Sequence, residues 1–143
     1  MAERILVIDD DAHVRLTISC MLQGLGYEIA QAADGNEGVR AFARLRPDVV
    51  ITDILMPEKE GIETILELRN ASKSVRIIAI SGGGRIGNME LLDLARKLGA
   101  DDVLTKPFTA EELRRLVTQR NTTPQPSLRI AEAAPWPAQQ RAS

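Results

Sequence analysis

Four groups of residues suited to one chemistry stand far apart in the chain: the acidic run Asp9-Asp10-Asp11, a single Asp53, the hydroxyl of Ser81 and the ammonium of Lys106. Brought to one place, the carboxylates would repel each other and resist ionisation unless a cation intervened. Oxygen ligands at an open rim suit Mg²⁺, or Mn²⁺ in its place, because such ions take one or two protein carboxylates and complete their shell with water and phosphate oxygens. Lys106 is a compact positive charge fit for a phosphoryl oxygen or for Asp53, and the Ser81 hydroxyl can donate to a second oxygen. Phosphoryl transfer demands mainly positioning and charge neutralisation, so a carboxylate nucleophile, a metal, a lysine and a hydroxyl form a sufficient kit.

That chemistry requires a fold that gathers these four places. Each lies at the end of, or just after, a short apolar run: Ile5-Leu6-Val7-Ile8, Val49-Val50-Ile51, Val75-Arg76-Ile77-Ile78-Ala79-Ile80 and Val103-Leu104. Near-continuous runs suit strands buried on both faces of a parallel sheet, whereas Glu28-Ile29-Ala30-Gln31-Ala32 alternates and reads as an edge strand. Helical periodicity fills the gaps. Val14, Ile18, Met21, Leu22 and Leu25 share a face that stops at Gly24-Leu25-Gly26, and Asp34 with Glu37 has the spacing of a capping box before Phe42 and Leu45. Ile62, Ile65, Leu66 and Leu68 mark a third helix; Leu91, Leu92, Ala95 and Leu98 a fourth closed by Gly99; Thr109 with Glu112 caps a fifth through Leu113, Leu116 and Val117. Five strand-helix units predict an α/β fold, a doubly wound five-stranded parallel sheet of order 2-1-3-4-5, flavodoxin-like, since an eight-unit barrel needs about 250 residues. In such a sheet, ligands bind at the carboxyl ends of the strands where the order reverses. Strands 1 and 3 are neighbours there, so Asp9, Asp10 and Asp53 converge.

With 143 residues, 44% hydrophobic and 27% charged, the chain is sized for one core. Eighteen basic against twenty acidic side chains give a net charge of -2, which leaves no positive field to hold nucleic acid or an anionic membrane. The lone Cys20 cannot form an internal disulfide, and a reducing, cytoplasmic setting is expected. The opening Met1-Ala2-Glu3-Arg4 runs straight into a short apolar run that ends at Asp9, so no signal peptide is expected, and no apolar stretch approaches the roughly 18 residues that span a bilayer. Residues 1–120 are read as the domain, and 121–143, with Pro124, Pro126, Pro135 and Pro137, as a flexible tail whose adhesive features are Leu128-Arg129-Ile130-Ala131 and Trp136. The tail is too short and proline-rich for a helix-turn-helix.

Asp9-Asp10, Asp53-Ile54-Leu55-Met56-Pro57, Ser81-Gly82 and Lys106-Pro107-Phe108 resemble, in order and spacing, the motifs of a response-regulator receiver domain over roughly residues 3 to 119. The resemblance implies that Asp53 accepts a phosphoryl group from the phosphohistidine of a sensor histidine kinase or phosphotransfer protein. It further implies that Asp10, Asp53 and the Leu55 backbone carbonyl bind Mg²⁺ directly, with Asp9 acting through water on the metal. Lys106 would pair with the acyl phosphate, Ser81 would swing toward it on activation, and the Lys106-Pro107 bond would be cis. Val103 stands where the family often has Tyr or Phe, so output is expected to travel through Ser81, Gly82, Gly83 and Gly84 into the fourth helix. Signalling would then be by protein contacts with a downstream target, a phosphorylation-dependent dimer being one form, and the protein would be a switch, not an enzyme, apart from its own phosphotransfer and slow autodephosphorylation. Apolar Leu55 and side-chain-free Gly83 offer nothing to align a hydrolytic water, which predicts a long-lived phosphorylated state.

Other readings are weaker. A pseudo-receiver binding partners without phosphate would not need an intact site. A haloacid-dehalogenase-like phosphatase needs an Asp two residues beyond its nucleophile, where this chain has Leu55. The glycines at 82–84 lack nucleotide-loop spacing, His13 reads as a solvated helix residue, Cys20 as a small core residue, and Asp11 as a helix cap.

Overall fold

Strands and helices alternate as β1 (Arg4–Ile8), α1 (Ala12–Met21), β2 (Glu28–Ala32), α2 (Gly35–Leu45), β3 (Val49–Asp53), α3 (Gly61–Ala71), β4 (Arg76–Ser81), α4 (Asn88–Leu98), β5 (Asp102–Thr105) and α5 (Ala110–Thr118). This is a computed structural model, and it describes residues 3–54, 61–81 and 88–119. The five strands are parallel in the order β2-β1-β3-β4-β5, the predicted doubly wound topology with β2 at one edge.

The pleat divides the strand residues between two cores. Leu6, Ile8, Val50, Ile77 and Ala79 meet Phe42 and Leu45 of α2, Ile65 and Leu68 of α3 and Ala95 of α4. On the other face Ile5, Val7, Ile51, Ile78 and Ile80 meet Ile18 of α1 and Leu113 and Val117 of α5. β3 and β4 are buried throughout, their polar residues Thr52, Asp53, Arg76 and Ser81 included, while edge strand β5 is only half-buried, with Val103 against the α2–α4 core.

The helix starts are written in the sequence. Asp11 accepts from His13 N–H at 2.8 Å and opens α1; Asp34 accepts from Glu37 N–H at 2.8 Å and opens α2. The Glu37 carboxylate turns back to the Ala33 N–H, one residue ahead of the box partner expected. Thr109 and Glu112 close a complete box at α5, with bonds of 3.0 and 2.9 Å.

Three side chains depart from expectation. Cys20 is exposed, not a core residue, because two helical steps carry it about 200° round α1 from buried Ile18. Leu25 lies beyond the end of α1, between Gly24 (φ 89°) and Gly26 (φ 84°), and is 42% exposed. Leu66 is equally exposed, one step around α3 from Ile65. Arg76, inside an apolar run, is buried: its Nε donates to Leu116 O at 2.9 Å and its guanidinium pairs with Asp102, tying α5 to β4 and β5 at the end of the sheet opposite the acidic run. Leu55, Gly82, Gly83, the side chains of Leu91 and Leu92, and the 121–143 segment lie outside the described residues. Among the described residues no helix is long and apolar enough to cross a membrane.

Candidate functional site

The strand register assembles the site. Ile8 stands opposite Thr52, Asp53 opposite Ile80, and Ser81 opposite Thr105. One residue past those pairs lie Asp9, level with Asp53, and Lys106, whose N–H donates to Ser81 O at 2.8 Å. Carboxylate oxygens of Asp9, Asp10 and Asp53 fall within 4.8 Å of one another, and Lys106 Nζ lies 4.0 Å from Asp9 Oδ2. The Lys106-Pro107 peptide is cis, as expected. Asp11 serves as the α1 cap, and His13 is exposed.

Burial sharpens the electrostatics. Asp9 is 2% exposed and Asp53 9%, whereas Asp10 faces solvent. Desolvation pushes the Asp9 carboxyl up from 3.8 to about 6; the Asp11 N–H at 2.9 Å opposes this, Asp53 adds to it, Lys106 opposes it and Asp10 adds to it. A carboxyl whose pKa is raised by folding contributes stability that is complete below about pH 4 and lost as pH rises through about 6. Asp9→Asn is therefore expected to stabilise the metal-free protein at pH 8, by about 3 kcal/mol at most, and to make little difference at pH 4. Urea unfolding in chelator at the two pH values measures the gap; an equal gap at both would contradict the assignment.

Two buried atoms, Asp9 Oδ2 and Ser81 Oγ, have no hydrogen-bond partner among the described residues. Buried polar atoms are nearly always satisfied, so an orphan acceptor beside two further carboxylates fits a cation, and an orphan hydroxyl on β4 fits an anionic oxygen. The donor set is all oxygen, which suits Mg²⁺ or Mn²⁺.

Two contributors were not singled out from the sequence. Gly61 N–H donates to Ile54 O at 2.7 Å, and a Cβ on Gly61 would lie 2.6 Å from Ile54 Cα and closer still to the Asp53 carbonyl oxygen. Arg15 Nη1 donates to Asp9 O at 2.6 Å. No periodicity marks a glycine needed for close approach, and an arginine one turn into a helix looks like any solvated residue.

A family model of the response regulator receiver domain matches residues 5–118. Chemotaxis protein CheY of Thermotoga maritima is 37% identical over 109 residues, 76% of this chain and 88% of that protein. Response regulator MprA of Mycolicibacterium vanbaalenii is 38% identical over 127 residues, 87% of this chain; the match spans about half (53%) of that longer relative. Among solved structures, a receiver domain protein of Clostridium thermocellum superposes with a TM-score of 0.74 at 34% identity, covering 82% of this chain and 91% of that one. CheY4 of Vibrio cholerae does so with a TM-score of 0.73 at 30% identity, covering 82% and 97%. Sheet order, converging acidic cluster and matched span agree, and the chain belongs to the response regulator receiver domain family, the phosphorylation-dependent signalling modules of two-component systems.

Proposed function

We propose that this protein is a phosphorylation-activated switch in which Asp53 takes a phosphoryl group from the phosphohistidine of a sensor histidine kinase or phosphotransfer protein and signals through protein contacts. The observation that carries this reading is the pair of orphan buried atoms, Asp9 Oδ2 and Ser81 Oγ, at the rim where Asp53 ends β3. An Asp53 carboxylate oxygen attacks phosphorus as the P–N bond breaks, and the electron pair leaves with the imidazole nitrogen. Asp10, Asp53 and the Leu55 carbonyl would hold a divalent cation, with Asp9 acting through water. Bound there, such an ion would neutralise charge on the carboxylates and phosphoryl oxygens. Lys106, already 4.0 Å from Asp9, turns its ammonium to a phosphoryl oxygen, and the Ser81 hydroxyl donates to another.

Output is proposed to run through Ser81, Gly82 and Gly83 into α4, since half-buried Val103 has no ring to reorient, toward a downstream protein or a second phosphorylated copy. Incubation with acetyl phosphate and Mg²⁺ is expected to add one acid-labile phosphoryl group by intact mass, and none in Asp53→Asn. Equal labelling of that variant would move the acceptor elsewhere. Absence of labelling in the unaltered protein by acetyl phosphate and by a panel of kinases would favour the phosphate-independent binding module.

A further inference from the structure

Three of the four polar atoms of Asp9 are held by neighbours. Its N–H donates to Ala32 O at 3.1 Å, its carbonyl accepts from Arg15 Nη1 at 2.6 Å, and its Oδ1 accepts from Asp11 N–H at 2.9 Å. Only Oδ2 is left to the acidic cluster. Arg15 is itself constrained. Its backbone N–H donates to Asp11 O at 3.1 Å, and its Nε donates to Gln31 Oε1 at 3.0 Å on edge strand β2. Gln31 Nε2 lies 3.4 Å from Ser19 Oγ, which donates back to Arg15 O at 2.8 Å.

A guanidinium is planar, with its donors in a fixed fork, so seating Nε on Gln31 leaves Nη1 little choice of direction. The carbonyl that it meets shares one rigid peptide plane with the nitrogen of Asp10. Fixing that plane fixes where the Asp10 N and Cα sit, and the bond from the Asp11 N–H to Asp9 Oδ1 spans Asp10, limiting its φ and ψ and so the bearing of its side chain, while turning the Asp9 carboxyl. An exposed carboxylate such as Asp10 has no burial of its own to order it. We propose that Arg15, steered by Gln31, is a positioning residue that pre-sets the Asp9–Asp10 peptide so that both carboxylates face one divalent cation beside Asp53. The inference rests on the metal reading above.

The test is direct Mn²⁺ binding to the full chain, followed by the electron paramagnetic resonance of free Mn²⁺, alongside the Mg²⁺ dependence of acetyl phosphate labelling. Arg15→Ala is expected to weaken Mn²⁺ binding about 10-fold and to raise the half-saturating Mg²⁺ by the same factor, as for other residues that orient metal ligands. The labelling rate at saturating Mg²⁺ should stay within about threefold, because Arg15 touches no reacting atom. Gln31→Met should shift binding the same way by about two- to threefold, and Arg15→Lys, with a single donor nitrogen and no fork, should fall between. A merely structural Arg15 would lower the melting temperature and leave half-saturation where it was, which overturns the proposal. Should Arg15→Ala not fold, unchanged Mn²⁺ affinity in both Arg15→Lys and Gln31→Met overturns it equally. Failure of the unaltered protein to bind Mn²⁺ overturns the metal reading and this inference together; normal binding with indifferent variants overturns this inference alone.

Discussion

Asp10→Ala is expected to weaken divalent-cation binding by more than about 100-fold and to abolish Asp53 labelling at millimolar Mg²⁺, while leaving the metal-free fold at least as stable as before. The first half follows from the ligand count. Carboxylate oxygens of Asp9, Asp10 and Asp53 lie within 4.8 Å, and of the three only Asp10 is solvent-exposed, so it meets an incoming ion first and with the smallest desolvation penalty. Without it, the phosphoryl donor approaches buried Asp53 with less of its charge compensated. The second half follows from repulsion: removing one of three adjacent negative charges relieves Asp53 and Asp9, the latter already raised to about 6. Calorimetric Mg²⁺ titration and melting in chelator separate the two effects. A variant that still labels with unchanged Mg²⁺ dependence would show that the cation sits elsewhere, and one that melts far lower would show a structural role for Asp10.

Why this site was legible in sequence, and its supports were not, is a matter of range. Parallel strands buried on both faces are mostly apolar, so the polar residues that close each run mark its carboxyl end: Asp9 after β1, Asp53 behind buried Thr52 in β3, and Ser81 in β4. The strand order then follows from connection rules, which makes neighbours of β1 and β3 and of Asp9 and Asp53. Caps are equally local: Asp11, Asp34 and Thr109 act within three residues of themselves. By contrast, Arg15 matters through a carbonyl six residues back and an amide on another strand, and Arg76 through the end of a helix 40 residues on. Such pairings depend on three-dimensional register that no periodicity encodes. Cys20 and Leu66 failed for a related reason: an apolar neighbour in sequence is a step of about 100° on a helix, and only the tertiary contact decides which side is inside.

Gly61→Ala is expected to destabilise the domain by about 3 kcal/mol, lowering its melting temperature by roughly 10–20 °C, as severe overpacking against rigid atoms does. A methyl at Gly61 overlaps the Asp53 carbonyl oxygen and comes 2.6 Å from Ile54 Cα. Both are backbone atoms of the strand end, held by Ile54 N–H to Ile80 O at 2.9 Å and Gly61 N–H to Ile54 O at 2.7 Å, so relief requires α3 to withdraw from β3. Gly38 is the informative contrast. A Cβ there also overlaps a neighbour, but the neighbour is a side chain, that of Ile8 from Cγ1 at 2.9 Å to its Cδ1 tip, which can shift or change rotamer where backbone cannot, and Ala gains about 1 kcal/mol of helix propensity over Gly inside α2. Gly38→Ala should thus stay within about 1 kcal/mol of the unaltered protein in urea. Because the strain at Gly61 falls on Asp53, the proposed acceptor, Gly61→Ala should also slow labelling at a temperature where it remains folded, which Gly38→Ala should not. Equal stability of the two variants would mean that α3 yields at Asp53 as easily as a side chain does, and that the end of β3 is not held rigidly by close approach of the α3 backbone.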